Sequence, residues 1–338
     1  MIFQLHTQFP GELKKEWNLL LSQSSTHVPF LRHEYLQTWW ETRGGGEWKD
    51  VSLSIITAQQ NDQLVGIAPL MHVPQWQGEP RLMLLGSIEI SDFLDFIVRA
   101  NDQEPFFNGL FSFLQQANLP AWKSLDLYNL LDSSPTISVL SQIANQFGWT
   151  INHEELQHSP YIPLPGDWET YLAGIDKKQR HEIRRKIRRL EGSGVPFRWY
   201  FVDDPELIEP EIEAFMDLMA LDADKARFLT PLMRIQFRKS TLSAFQEGWL
   251  KLSFLEINGR KAAGYLCFDY LNRIWVYNSA IDPQNMEFSP GWVLLGYLLQ
   301  WANFAGKTEF DFMRGDEEYK YRFGAIDRFV HRVILTPH

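Results

Sequence analysis

The two halves of this chain pass through the same three segments in the same order, and no other feature of the sequence narrows the fold as much. QLVGIAPLMHV at 63–73 matches RKAAGYLCFDY at 260–270, with Gly66 set against Gly264. An apolar helical stretch at 105–117 matches one at 290–305. SLDLYNL at 124–130 matches EFDFMRG at 309–315, with Asp126 set against Asp311. A period of roughly 190 residues is too long for a solenoid and implies duplication of a whole domain. The segment LQHSPYIPLPGDW (156–168), rich in proline, reads as the passage between the copies and predicts domains at 1–160 and 161–338.

Apolar spacing fills in each half. In the first it predicts helices at 12–22, 33–42 and 105–117, strands at 51–58 and 63–73 joined by the turn QQND, and a strand at 124–130. In the second it predicts one helical stretch over 167–191, a strand at 197–202 and helices at 209–221 and 231–246. Strands at 250–257, 260–271 and 273–281 follow, then a helix at 290–305 and a strand at 308–313. Each half therefore runs two helices, a strand ladder, a helix and a strand. The fold class is α/β (α+β), with two tandem domains, each a mixed, mainly antiparallel sheet flanked by helices.

With 45% hydrophobic and 22% charged residues in 338, the chain is neither disordered nor of low complexity. The single cysteine, Cys267, excludes an internal disulfide and a cysteine-based zinc cluster, and it fits a reducing, cytoplasmic compartment. Apolar runs fall short of the roughly 18 residues of a membrane span. The opening MIFQLHTQFPGELKKEW lacks the basic stretch of a secretory signal. Histidines at 6, 33, 153 and 158 show no H-x-x-x-H spacing, so no metal is expected. G-x-S-x-G, P-loop and G-x-G-x-x-G motifs are all lacking.

Three constellations carry possible chemistry. Charge is uneven: residues 1–160 hold 8 Lys+Arg against 17 Asp+Glu, whereas 176–191 (DKKQRHEIRRKIRRLE) holds 8 bases against 3 acids. Ile183, Ile187 and Leu190 give that helix an apolar stripe, beside which Arg180, Arg184 and Arg188 form a row suited to an anionic substrate. A general nucleic-acid binder would not carry a net charge of −10, so no stable nucleic-acid partner is expected. In FSPGWVLLGYLLQWANFAG (288–306), Ser289 is a good N-cap and Pro290 suits the first helical position. The uncapped N–H groups of such a helix start, with Gly291 permitting close approach, form a ready anion site. In FDFMRGDEEYKYRFG (310–324), a strand ends in Asp311, Arg314, Asp316, Tyr319 and Lys320, a set able to move protons and neutralise an anion. The 13 tryptophans, among them Trp39, Trp40, Trp168, Trp199, Trp275 and Trp301, are read chiefly as core.

The order of motifs resembles the CelD/BcsL-type acetyltransferases of the GNAT superfamily. These motifs are D-K-K-x-R-x-x-I-R-R, K-A-A-G-Y, Y-N-S-A-I-D, S-P-G opening a helix, and F-D-F-x-R-G-D-E-x-Y-K-x-x-F. The likeness covers most of 165–325, and the first half is similar to a degenerate first GNAT unit. The layout is also similar to the FemABX peptidyltransferases. The resemblance implies two tandem GNAT-like domains and transfer of an acyl group from acetyl-CoA or another acyl-CoA, used as a cosubstrate, to an amine of a small molecule or sugar. It implies donor binding by Phe288, Ser289, Gly291, Trp292 and Arg314. Catalysis would fall to Asp316, Tyr319, Asp311 and Lys320, and acceptor binding to Arg180, Arg184, Tyr277 and Asn278. The loop QNMEFSPGW departs from the usual Q/R-x-x-G-x-G/A, and Pro290 offers no N–H. An aminoacyl-tRNA-dependent transferase and an inactive double-GNAT scaffold therefore stand as alternatives.

Overall fold

The computed structural model describes residues 1–338, which divide into two compact units, 1–157 with 328–338, and 158–327. The strands are β1 (Ile2–His6), β2 (Ser52–Leu53), β3 (Ile55–Gln60), β4 (Gln63–Ala68), β5 (Leu70–Trp76), β6 (Glu79–Leu84), β7 (Ile97–Val98), β8 (Ser124–Leu131) and β9 (Thr150–His158). They continue as β10 (Tyr161–Pro163), β11 (Phe197–Phe201), β12 (Leu250–Ile257), β13 (Arg260–Tyr270), β14 (Arg273–Ile281), β15 (Glu309–Asp311) and β16 (Phe329–Thr336). The helices are α1 (Lys14–Gln23), α2 (His33–Gly46), α3 (Gln103–Gln116), α4 (Pro135–Phe147), α5 (Trp168–Gly174) and α6 (Lys177–Glu191). After them come α7 (Ile208–Met219), α8 (Ala223–Phe228), α9 (Pro231–Gln246), α10 (Pro290–Phe304) and α11 (Glu318–Arg322).

The second unit is built on one six-stranded sheet in the order β10-β15-β14-β13-β12-β11. Every pair is antiparallel except β14 and β15, which the crossover through α10 makes parallel. One face packs on α5, α6 and α10 through Ile183, Leu190, Tyr265, Cys267, Leu294 and Leu298. The other meets the aromatic rings of α7 and α9, with Phe215 on Phe254 and Phe237 on Tyr277. The first unit holds the sheets β1-β3-β4-β7 and β2-β5-β6-β8-β16-β9. Both units are thus mixed, mainly antiparallel sheets with helices, the expected class.

The internal repeat survives in backbone detail. In each unit a two-residue turn in the left-handed region (Asn61-Asp62, Asn258-Gly259) joins the first ladder strands. Each following strand then leaves its third residue unpaired, Val65 opposite the Ala58/Gln59 step and Ala262 opposite the Leu255/Glu256 step. Each unit then sends a helix across to a strand that pairs in parallel over three residues, Arg81–Met83 with Ser124–Asp126 and Arg273–Trp275 with Glu309–Asp311. This register makes Asp126 and Asp311 true equivalents, both fully buried. It corrects the glycine match. Gly66 is equivalent to Ala263, one residue short of Gly264, and side chains alternate along a strand, so the two glycines face opposite layers. A Cβ on Gly66 would sit 2.2 Å from the Phe106 ring on α3, and one on Gly264 2.9 Å from Phe215 on α7.

Four boundaries differ from the sequence reading. The stretch 167–191 is two helices, because Ile175 is extended and the Asp176 carboxylate caps a new start through the N–H groups of Lys178 and Gln179. The strand expected at 63–73 breaks at Pro69, which has no N–H to donate, into β4 and β5 of different sheets. The partner strand at 51–58 breaks likewise at Ser54. The second domain, taken to 338, stops at 327: β16 leaves it and pairs antiparallel with β8 in the first unit. Its short apolar alternation carries no mark of which sheet it will join.

Candidate active site

β14 and β15 pair only as far as Trp275 and Asp311, yet β14 runs on to Ile281. Beyond that point the sheet splays, and a cavity of about 240 Å³ opens between the end of β14, the start of α10, α6 and α11. The β14 strand carries an irregularity there: Leu266 pairs with Asn278 and Cys267 with Val276, which leaves Tyr277 as the extra residue.

The cavity brings together Ser289, Pro290, Gly291 and Trp292 from the α10 start with Tyr319 of α11, five of the residues singled out in the sequence. Ser289 stands at the N-cap position but in the left-handed region, φ 52°, and its hydroxyl caps nothing. The first α10 hydrogen bond is Val293 N–H to the Ser289 carbonyl at 3.0 Å. With no side-chain cap and no N–H on Pro290, the N–H groups of Gly291 and Trp292 are the donors at the positive end of a 15-residue helix. Lys186 of α6 adds a full charge, its Nζ 4.1 Å from the Trp292 ring centroid, and burial pulls its amine pKa down.

Tyr265 and Tyr319 line the same space. The Tyr265 hydroxyl donates to the Gly291 carbonyl at 3.4 Å. Burial pushes both phenols up, Tyr319 further raised by the Glu317 charge, so each is a proton donor at neutral pH. Cys267 is 2% exposed inside β13 and its thiol is likewise pushed up by burial, so it is no nucleophile.

The remaining candidates lie elsewhere. Asp311 is fully buried, and its Oδ1 accepts the Met313 N–H at 2.7 Å, which shapes the turn after β15. Lys320 is 2% exposed. Its Nζ donates to the carbonyls of Arg314 (2.9 Å) and Gly315 (3.0 Å) and pairs with Glu317 at 2.8 Å. Asp316 is exposed, and Arg314 and Phe288 do not line the cavity. Arg184 pairs with Glu169 and Arg180 donates to the Leu172 and Ala173 carbonyls, so the arginine row braces α5 at these two positions. Tyr277 stacks between Phe237 and Phe268 on the opposite layer, and the Asn278 Oδ1 accepts from Lys225. Of the six tryptophans singled out in the sequence, Trp39 and Trp275 are fully buried and Trp40, Trp168, Trp199 and Trp301 are partly buried.

The sequence reading missed Lys186, Tyr265, Ser279 and Phe323 as cavity residues. Lys186 was visible only as one base among eight, and Tyr265 only as part of a strand. What distinguishes them is position on a face turned toward α10. No group of three or more His, Cys, Asp or Glu is placed to hold a metal ion, and no helix is long and apolar enough to cross a membrane.

Residues 177–321 match the family described as an acetyltransferase (GNAT) domain. The matched stretch begins at α6, ends inside α11 and contains the whole cavity lining except Phe323. The match falls entirely within the second unit. Among solved structures the chain is similar to FemX, at TM-score 0.67 and 12% identity over 98% of this chain and 97% of that one. It is also similar to a conserved protein of unknown function from Bacteroides thetaiotaomicron VPI-5482, at TM-score 0.63 and 10% identity over 99% and 100%. L-PGS from Bacillus licheniformis follows at TM-score 0.58 and 12% identity over 98% and 93%. At these identities the likeness is one of fold. No curated protein matches the chain.

Proposed function

We propose that the second unit transfers an acyl group from an acyl-CoA thioester, acetyl-CoA in the first instance, to an amine. The observation that carries this reading is the convergence, in one cavity, of the uncapped α10 start, the splayed end of β14 and the protonated Tyr319 phenol. The volume suits the flexible thioester arm of the donor, with the diphosphate held at the mouth by the Gly291 and Trp292 N–H groups and Lys186. The motif order that resembles the CelD/BcsL type supports the same donor.

The amine attacks the thioester carbonyl, the C–N bond forms and the C–S bond breaks. Tyr319 gives its proton to the departing sulfur. The proton lost by the amine goes to a carboxylate. Glu317 suits this better than Asp316 or Asp311, because its charge is felt at both Tyr319 and Lys225; its Oε2 pairs with Lys320, which leaves Oε1 to take the proton and later return it to the phenolate. No covalent enzyme intermediate is needed.

A thermal-shift panel of acyl-CoA esters tests the reading. A donor at a hundredfold its Kd stabilises the native state by about 2.7 kcal/mol, and thiol release then reports turnover. No shift and no thiol with any ester would leave an aminoacyl-tRNA donor or the inactive scaffold. A second reading, an aminoacyl-tRNA donor, draws on Arg185, Arg188 and Arg189, all exposed on α6. It predicts tRNA binding that weakens steeply with salt.

A further inference from the structure

A second cavity, of about 130 Å³, lies where the end of α7 and the start of α8 meet β14. It shares Ser279 and Ile281 with the larger one, so the two approach the same strand end, one from α10 and the other from α7 and α8. Its lining is mixed: Leu218, Met219 and Ile281 give it apolar walls, and Lys225, Asp222 and Ser279 give it polar ones. Lys225 is half-buried. Its Nζ donates to the Asn278 Oδ1 at 3.1 Å and to the Ser279 carbonyl, and an ammonium has a third hydrogen to give.

The carboxylates that face Lys225 are already engaged. Asp222 caps α8, its Oδ1 accepting the N–H groups of Asp224 and Lys225 at 3.0 Å, and Glu317 is paired with Lys320. A cavity this small, about 130 Å³, has no room for a sugar ring with its hydroxyls, and its one cation keeps a spare donor beside Leu218 and Met219. It suits a small apolar body ending in an anion.

We propose that this cavity is the acceptor subsite and that the acceptor is an amino acid or short peptide, its carboxylate held by Lys225 and its amine directed across Ser279 toward the donor carbonyl. The proposal rests on the acyl-transfer reading for the donor side. It gives Asn278 a different part from the one expected: it positions Lys225 instead of touching substrate. Burial disfavours the Lys225 charge, and a bound carboxylate would restore it.

Two readouts separate this inference from the reading beneath it. Binding of alanine, leucine and their amides is followed by calorimetry on the full chain, without donor. Thiol release with acetyl-CoA is followed in parallel. The acids should bind at least about tenfold more tightly than the amides, the scale of one hydrogen bond to a charge. Lys225→Gln, which keeps a donor for Asn278 but removes the charge, should bring that ratio close to one, and Lys225→Arg should restore part of it. Acid binding that depends on Lys225 without any thiol release would sink acyl transfer from CoA and keep the subsite. Equal binding or equal turnover of acids and amides by the unaltered protein, or an acid preference that survives in a folded Lys225→Gln, would overturn the subsite.

Discussion

Lys320 lies in the motif that most resembles a catalytic signature, and the structure assigns it a different task that one substitution can separate. Its Nζ donates to the backbone carbonyls of Arg314 and Gly315 from a position 2% exposed, and so braces the turn that carries Glu317 and Tyr319. Lys320→Met removes these bonds and a longer one to the Met313 carbonyl at 3.4 Å, and leaves carbonyls that are partly or fully buried unpaired. A hydrogen bond from a charged donor contributes about 1.5–3 kcal/mol. The Glu317 pair adds little, since that carboxylate is 59% exposed and rehydrates. The expected loss is about 3–4 kcal/mol, or a Tm lower by about 10 °C for a unit of this size. Urea denaturation and a thermal scan read the stability, and acyl-CoA turnover well below the new Tm reads the chemistry. A protein with unchanged Tm and turnover reduced by more than about a hundredfold, the scale of a lost proton donor, would refute the brace and return Lys320 to the reacting atoms.

Tyr319→Phe should lower kcat by about a hundredfold and leave the Tm nearly unchanged, as read by steady-state thiol release. Asp126→Asn should cost about 3–5 kcal/mol by urea denaturation. It removes the buried partner of Arg81 (2.5 Å) and Arg332 (2.8 Å), which ties β16 to β8. Burial lowers the pKa of His6, His33 and His331 below 6.5, so below that pH the unfolded chain binds more protons and stability falls on acidification. Glu47, raised to about 7 by burial and Glu89, and buried Asp95, also raised, act in the opposite sense. Changing all three histidines to glutamine should therefore reverse the slope of stability between pH 5 and about 6.5, measured by urea titration.

Much of the second unit was legible because its elements announce themselves locally. α9 begins at Thr230-Pro231, where the threonine hydroxyl accepts the Met233 N–H. β12, β13 and β14 are apolar runs parted by two-residue turns at Asn258-Gly259 and Leu271-Asn272. β16 and β9 were not legible. A strand of eight or nine residues with ordinary alternation says that it pairs, not with what. The candidate site divides in the same way. The S-P-G start of α10 and Tyr319 stood out as motifs, whereas Lys186 and Lys225 acquire meaning from the helices that carry them to the two sides of β14.

By itself the sequence determined the duplication, the α/β class and the identity of the helix start that faces the larger cavity, since propensity, turn chemistry and the order of segments are local properties. Tertiary structure alone decided which polar residues line the cavity and which meet backbone. Asp311 and Lys320 sit in the same short motif as Tyr319, yet burial at 0% and 2% commits the first two to carbonyl and amide groups of the turn. The difference is desolvation: a buried charge must find its partners within the chain, and whether a side chain is buried depends on what the rest of the fold lays over it.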